Sequence, residues 1–488
     1  MIPLNWITKN VRNQNGRPNL YGRKVCLLSM ILAAFLALAA GLVTGCNSSA
    51  VPTGSAGDIT SAAVAVPVLI TDAPAYQLVA FTLTLNSIVL TDSAGKTTSI
   101  LSTPTTIEVC HLDGIQEALV TASIPEDTYV SAKITFSDPQ ITYINSSGQP
   151  VVATPVLATT SYTATFATPI SISNTNSSLL FDLLASQSVT IAGATVTVSP
   201  VFSVKAVPSA ATPPPQGQNG TGMQQVGAVV SASATSLVIE PGSGPDVTFT
   251  VNGSTVFQDP NATATIASLT AGELVDVDFT AQTGGTLLAT RVQLLPPNPG
   301  GQPLNLLTGP VTSLISGTGF KMVLMQPAGP SVNPTNIGTT YTVDTSSSTV
   351  FAISPQLVSL AGLPFKPSFT STNLTPGQTV AVTTSSISGT TAMAADVYLT
   401  PQTIDGSVTA TSTNGSYDVY TLSLTSGSAF TALSGASTVV VYASSATAAM
   451  SSSTITVGSQ VRFNGLIFND SGTFRMVAAV CPDGNPHP

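Results

Sequence analysis

The chain has two histidines, His111 and His487, and they bound the acid–base chemistry open to it. A Ser–His–Asp set needs an imidazole base held beside its nucleophile. His487 stands directly before the last residue, Pro488, so His111 beside Cys110 is the candidate. A working dyad needs both side chains on one face, whereas neighbours along a strand point to opposite faces. The pair therefore reads as a structural thiol in a strand beside a surface imidazole.

Carboxylates are the second source of chemistry. Asp113, Glu117, Glu126 and Asp127 fall in one short stretch, and paired acids serve glycoside hydrolysis. The simpler reading makes Glu126-Asp127 a polar turn between strands. Asp276 and Asp278 alternate with Val275, Val277 and Phe279, the pattern of a strand with one solvated face. No Asp-x-Asp-x-Asp-Gly loop supports calcium there. Asp72, between Thr71 and Ala73-Pro74, is the binding candidate: it either caps the backbone amides that follow or contacts a ligand or ion. Gly-x-x-x-x-Gly-Lys is absent, and no cysteine pair has metal-finger spacing. The sequence thus predicts no catalytic residue, no metal ligand and no cofactor. Tyr76, Phe81, Tyr129, Phe136, Tyr143 and Tyr162 would form a sugar platform only if exposed; most are expected in the core.

Strands must position these groups. Only 7% of the chain is charged, and its Thr, Ser, Val and Ala suit half-buried strands rather than long amphipathic helices. Phe81-Thr82-Leu83-Thr84-Leu85 alternates, as do Lys133-Ile134-Thr135-Phe136 and Thr195-Val196-Thr197-Val198. Asp92-Ser93-Ala94-Gly95 and Asn145-Ser146-Ser147-Gly148 read as turns. The fold class is all-β: a β-sandwich over 64–206, then three small barrel-like repeats over 226–295, 304–400 and 403–482. A Pro/Gly/Gln linker, 207–225, and a second break at Pro296–Gly301 separate them.

The repeats have a signature. Each opens on a glycine: Gly227-Ala228-Val229, Gly309-Pro310-Val311, Gly406-Ser407-Val408. Each then carries a turn glycine before a strand: Leu269-Thr270-Ala271-Gly272-Glu273-Leu274, Leu374-Thr375-Pro376-Gly377-Gln378-Thr379, Ile455-Thr456-Val457-Gly458-Ser459-Gln460. Each closes on a strand around Arg291-Val292, Asp396-Val397 or Met476-Val477. Val440-Val441-Tyr442 is the middle strand of the third.

The start of the chain is a targeting segment. Lys9, Arg12, Arg17, Arg23 and Lys24 precede the 19 uncharged residues Val25–Val43, as a signal peptide over 1–45 requires. Thr44-Gly45-Cys46 resembles the bacterial lipobox. That resemblance implies cleavage before Cys46 and lipid on its side chain, with 46–63 a flexible tether. Cleavage removes five of 13 basic residues and none of 22 acids, which argues against a nucleic-acid partner. Asn47 is not the aspartate of inner-membrane retention, so the resemblance favours the outer membrane.

Two further likenesses concern the modules. Leu69-Ile70-Thr71-Asp72-Ala73-Pro74 with Phe81–Ile88, Ile124–Tyr129 and Leu180-Phe181-Asp182-Leu183 resembles domain of unknown function 4382. That family usually has Val-Asp-Leu-Leu where Val109-Cys110-His111-Leu112 stand, and Ala-Gly at Glu126-Asp127. Its members are typically envelope lipoproteins without an assigned activity. The three repeats resemble domain of unknown function 5666, which implies small barrels of the oligomer-binding kind.

The expected function is a membrane-anchored envelope lipoprotein of structural, adhesive or surface-display type with no catalytic activity. The alternative is a carbohydrate- or peptide-binding module assisting a surface enzyme system. Partners would be the membrane, through Cys46, and a cell-surface glycan or protein. Modules strung out on linkers would keep Cys110 from Cys481, leaving Cys481 free or in an intermolecular bond.

Overall fold

The computed structural model describes residues 62–480, except 74, 174–176, 209–222, 243, 260–263, 296–304, 355–358 and 445–453. The signal segment, Cys46, Cys481 and most of both linker segments lie outside the described residues. Two units divide the chain, Met1–Ile59 and Thr60–Pro488, and the second contains every described residue.

The fold is nearly all strand. In the first module, one sheet runs Thr97–Leu101, Leu78–Asp92, Asp127–Ile144, Pro150–Ala153. The facing sheet runs Phe202–Pro208, Ser177–Leu184, Ala63–Ala73, Glu117–Pro125. Period-two alternation brings Phe81, Leu83 and Leu85 into one core with Val66, Val68 and Ile70. The turn after Asp92 forms as its residue types require. Asp92 Oδ1 accepts from the amides of Ala94 at 2.9 Å and Lys96 at 2.8 Å.

Three units follow, each with the same ring of strand pairings. In the third the ring is a closed barrel: Gln402–Asn414, Tyr417–Leu424, Thr438–Ser444, Thr473–Val480, Gln460–Asp470 and back to the start. In every unit the third strand of the ring pairs in parallel with the closing strand, at Thr250↔Leu288, Thr342↔Thr391 and Val440↔Arg475. The turn glycines share one conformation, with φ of 90° at Gly272, 92° at Gly377 and 91° at Gly458. Their amides donate to the carbonyls of Val229, Val311 and Val408, each at 2.8 Å. The following side chain, Glu273, Gln378 or Ser459, accepts from the amide three residues earlier at 2.7, 2.8 or 3.0 Å. Three sequences with little identity thus build one local device. The opening glycines allow neighbouring strands to approach: an added Cβ would stand 2.6 Å from Glu240 O at Gly227, 1.9 Å from Val323 O at Gly309 and 2.4 Å from Ser423 O at Gly406.

The modules do not hang separately on linkers, as the sequence led us to expect. Leu69 and Leu180, on the outer face of the first module, belong to the apolar core of the first unit. Leu466, Phe468 and Val477 of the third unit pack into the core of the second. The segment 110–118 contacts all three units. Asp113 O accepts from Thr403 Oγ1 at 3.3 Å, Gln116 bridges Met223, and Glu117 Oε1 accepts from Gln326 Nε2 at 3.3 Å. The strung-out expectation fails because apolar residues that look like one module's own pattern cover a neighbour instead.

Candidate functional site

Glu108 ends the strand Thr105–Glu108, and Cys110–Leu112 then makes a single 3-10 turn instead of the expected strand. The Glu108 carboxylate organises that turn. Its Oε1 accepts from Phe81 N at 2.8 Å and Cys110 N at 3.1 Å, and its Oε2 from His111 N at 2.8 Å. His111 Nδ1 lies 2.8 Å from Glu108 Oε2, and Nε2 lies 3.1 Å from Glu117 Oε1. The imidazole is 6% exposed, so it is not the surface group expected. Burial opposes its charge, but Glu117 and Glu108 outweigh burial and raise its pKa to about 10. Burial and Glu108 push the Cys110 thiol up. A charged imidazolium beside a neutral thiol is the wrong protonation pattern for a nucleophilic dyad.

Asp72 lies at the end of the strand Ala63–Ala73, where it forms an isolated parallel bridge with Asp113. Thr71 Oγ1 pins this junction by donating to Ile115 O at 2.7 Å. Asp72 is 5% exposed, and neither of its carboxylate oxygens makes a hydrogen bond. The amides of the following turn do not reach it, so it is not the local cap the sequence suggested. Burial, then Asp113, Asp182 and Glu108, hold its pKa well above the carboxylate range, with only a lesser opposing pull from the Ala185 amide. Burial lifts Asp113 to about 7 against the attraction of Arg462. Asp113 Oδ1 also lacks a hydrogen bond.

The units supply the opposite wall. Asp405 and Arg462 pair across neighbouring strands, with Arg462 Nε donating to Asp405 Oδ1 at 2.9 Å. The same register places Val226 opposite Asp276 in the first unit and Thr308 opposite Ala381 in the second. Val226, Thr308 and Asp405, together with Asp72, His111 and Asp113, line one cavity of about 580 Å³. Equivalent strand positions of three units therefore converge on one space with the end of the first module.

Asp276 and Asp278 are not a solvated face. They are 8% and 2% exposed and share Arg291 from the next strand. Gln224 Nε2 donates to both Asp276 oxygens at 2.8 Å. Alternation alone looked like a water-facing edge, whereas Arg291 and Gln224 from the neighbouring strands cover that face.

Of the four clustered acids, Asp113 and Glu117 reach this region, while Glu126 sits at the bend between two strands and Asp127 starts the next. Tyr129, Phe81 and Phe136 are core; Tyr76 lines the cavity. Sequence reasoning missed Glu108, Arg291, Asp405 and Arg462. For Arg291, Asp405 and Arg462 the signal was an arginine in a charge-poor strand, with its acid on another strand. Among the described residues, no group of three or more His, Cys, Asp or Glu side chains could hold a metal ion.

Residues 226–293, which are the first unit, match the family described as Domain of unknown function (DUF5666). No curated protein matches the chain.

Proposed function

We propose that the chain is a lipid-anchored envelope protein that binds a small polar ligand where its modules meet and does not transform it. One observation carries this reading: a cavity of about 580 Å³ lined by the buried Asp72 carboxyl, with no hydrogen bond on either oxygen, and by Asp113, with none on Oδ1. Its size falls within the usual range for small-molecule sites. Acid–base catalysis by two carboxyls needs pKa values pushed apart, whereas Asp72 and Asp113 are both pushed up. The basic start, apolar run and Thr44-Gly45-Cys46 support the anchor, and Asn47 after the cysteine favours the outer membrane by resemblance. The likeness of the first module to domain of unknown function 4382, whose members are typically envelope lipoproteins, supports an envelope role.

A structural or adhesive role is the second reading. Val152 and Val156, 62% and 61% exposed on edge strands of the first module, favour it, because open apolar edges invite partners.

Thermal shift of the mature chain against glycans, short peptides and amines tests the binding reading. The expected result is a stabilising compound whose effect is lost when Thr308→Trp fills the cavity. If no compound stabilises, or the effect survives the tryptophan, the cavity is not the site. Cys46→Ser should leave an unprocessed precursor; Trp6, the single tryptophan, lies in the segment 1–45 that cleavage would remove, so wild-type protein isolated with Trp6 intact would remove the anchor.

A further inference from the structure

The cavity holds more acid than the fold neutralises. His111 is committed to Glu108 and Glu117, Arg291 to Asp276 and Asp278, and Arg462 to Asp405. The charged groups that act on Asp72 are Asp113, Asp182 and Glu108, all acids, and only the weaker pull of the Ala185 amide opposes them. Asp72 is 95% removed from solvent, lines the cavity, and has no hydrogen bond on either oxygen. A buried carboxylate in that state is costly unless it is protonated or paired.

We propose that Asp72, with Asp113 beside it, binds the ammonium group of an aliphatic amine in this cavity. The inference rests on the binding reading above and names the class of ligand. An organic cation fits better than a metal ion. The walls nearby are carbon-rich, with Leu78, Val79, Leu306 and Phe430, and no set of three metal-ligating side chains occurs among the described residues. The aspartates have complementary parts. Asp72 has both oxygens free, and Asp113 has Oδ1 free while its backbone carbonyl is held by Thr403.

Binding is linked to protons. Around Asp113 stand Arg462, Asp405 and Asp182, and Tyr76 lies against the Asp405–Arg462 pair. An ammonium ion entering below pH 7 must displace a proton from the aspartate pair, which is released to solvent. Affinity therefore rises with pH until both acids are ionised, as long as the amine stays charged.

The test uses the full mature chain in detergent and calorimetric titration at pH 5.5 and pH 8. The probes are 1,5-diaminopentane, the neutral 1,5-pentanediol and calcium chloride. The expected result is binding of the diamine alone, tighter by tenfold or more at pH 8, with proton release seen as a buffer-dependent heat. Asp72→Asn should weaken it at least tenfold with circular dichroism unchanged, and Asp113→Asn should lessen the pH dependence, leaving the part that Asp72 carries. Equal binding of diol and diamine would overturn the cation claim but keep the cavity as a site. Binding of calcium alone, or unchanged affinity in Asp72→Asn, would also overturn it. If the diamine does not bind while a glycan or peptide does so in a manner sensitive to Thr308→Trp, the amine proposal falls and the binding reading stands. If nothing binds, both fall.

Discussion

Asp405 and Arg462 stand opposite each other on neighbouring strands of the third unit, each side chain 5% exposed, and Arg462 also attracts Asp113 of the first module. One buried pair thus serves a barrel wall and a module boundary. Removing one partner leaves the other charged without compensation, which costs about 3–5 kcal/mol. Arg462→Met should lower stability by that order in urea denaturation. The double variant Asp405→Leu with Arg462→Met should recover much of the loss, because an apolar pair of similar volume needs no neutralisation. If the double variant is no more stable than the single, the pair contributes through shape rather than charge.

His111 makes stability depend on pH in a defined direction. Its folded pKa, about 10, lies above the usual 6.5, so its contribution is fully present below about pH 6.5 and is lost as pH rises through about 10. At 1.36 kcal/mol per pH unit the upper limit is about 5 kcal/mol. His111→Gln should therefore cost several kcal/mol at pH 6 and little at pH 10.5. Urea titrations at both values check this, and imidazole NMR gives the pKa directly. An ordinary imidazole midpoint near 6.5 would show that the Glu108–His111–Glu117 arrangement is not charged as described.

The individual elements were legible because each is a local pattern. Thr195–Val198 alternates and is a strand, and Gly272, Gly377 and Gly458 announce a turn that side-chain-bearing residues disfavour. The assembly was not legible. Asp276 and Asp278 have the spacing of a wet face, and Arg291, which changes that meaning, lies on the next strand. Asp72 stood out from its local sequence, but its partner Asp113 is fixed by a bridge 41 positions away. Nor does anything local in 110–118 announce that this one segment contacts all three units.

The opening glycines yield a graded test. An alanine Cβ at Gly309 would stand 1.9 Å from Val323 O in the adjoining strand, so the backbone must move. Gly309→Ala should cost more than about 3 kcal/mol, within the range for severe overpacking. Gly377→Ala meets a strained φ of 92° and should cost about 1–3 kcal/mol. Gly253→Ala has nothing within 4 Å and should stay within about 0.5 kcal/mol of wild type. Chemical denaturation of the three variants gives the ranking; a tolerated Gly309→Ala would contradict the strand spacing in the second unit.

The contact between the first module and the first unit makes the fragment 64–206 a sharp probe of assembly. Leu69 and Leu180 are 0% and 1% exposed because the first unit covers them. Each contributes about 1.5–3 kcal/mol through burial of its side chain. Cutting the chain after 206 exposes both, so the fragment should bind a hydrophobic dye and aggregate more readily than fragment 64–294, which retains the cover. The same contact sets the outcome of proteolysis. Cleavage anywhere in 209–222 should leave two pieces that co-elute on gel filtration, held by Leu69, Leu180 and the Gln116–Met223 bridge. Leu69→Asp with Leu180→Asp, which places charge in that contact, should let the pieces separate. Pieces that part from the wild-type chain at once would mean the modules associate only through the covalent link.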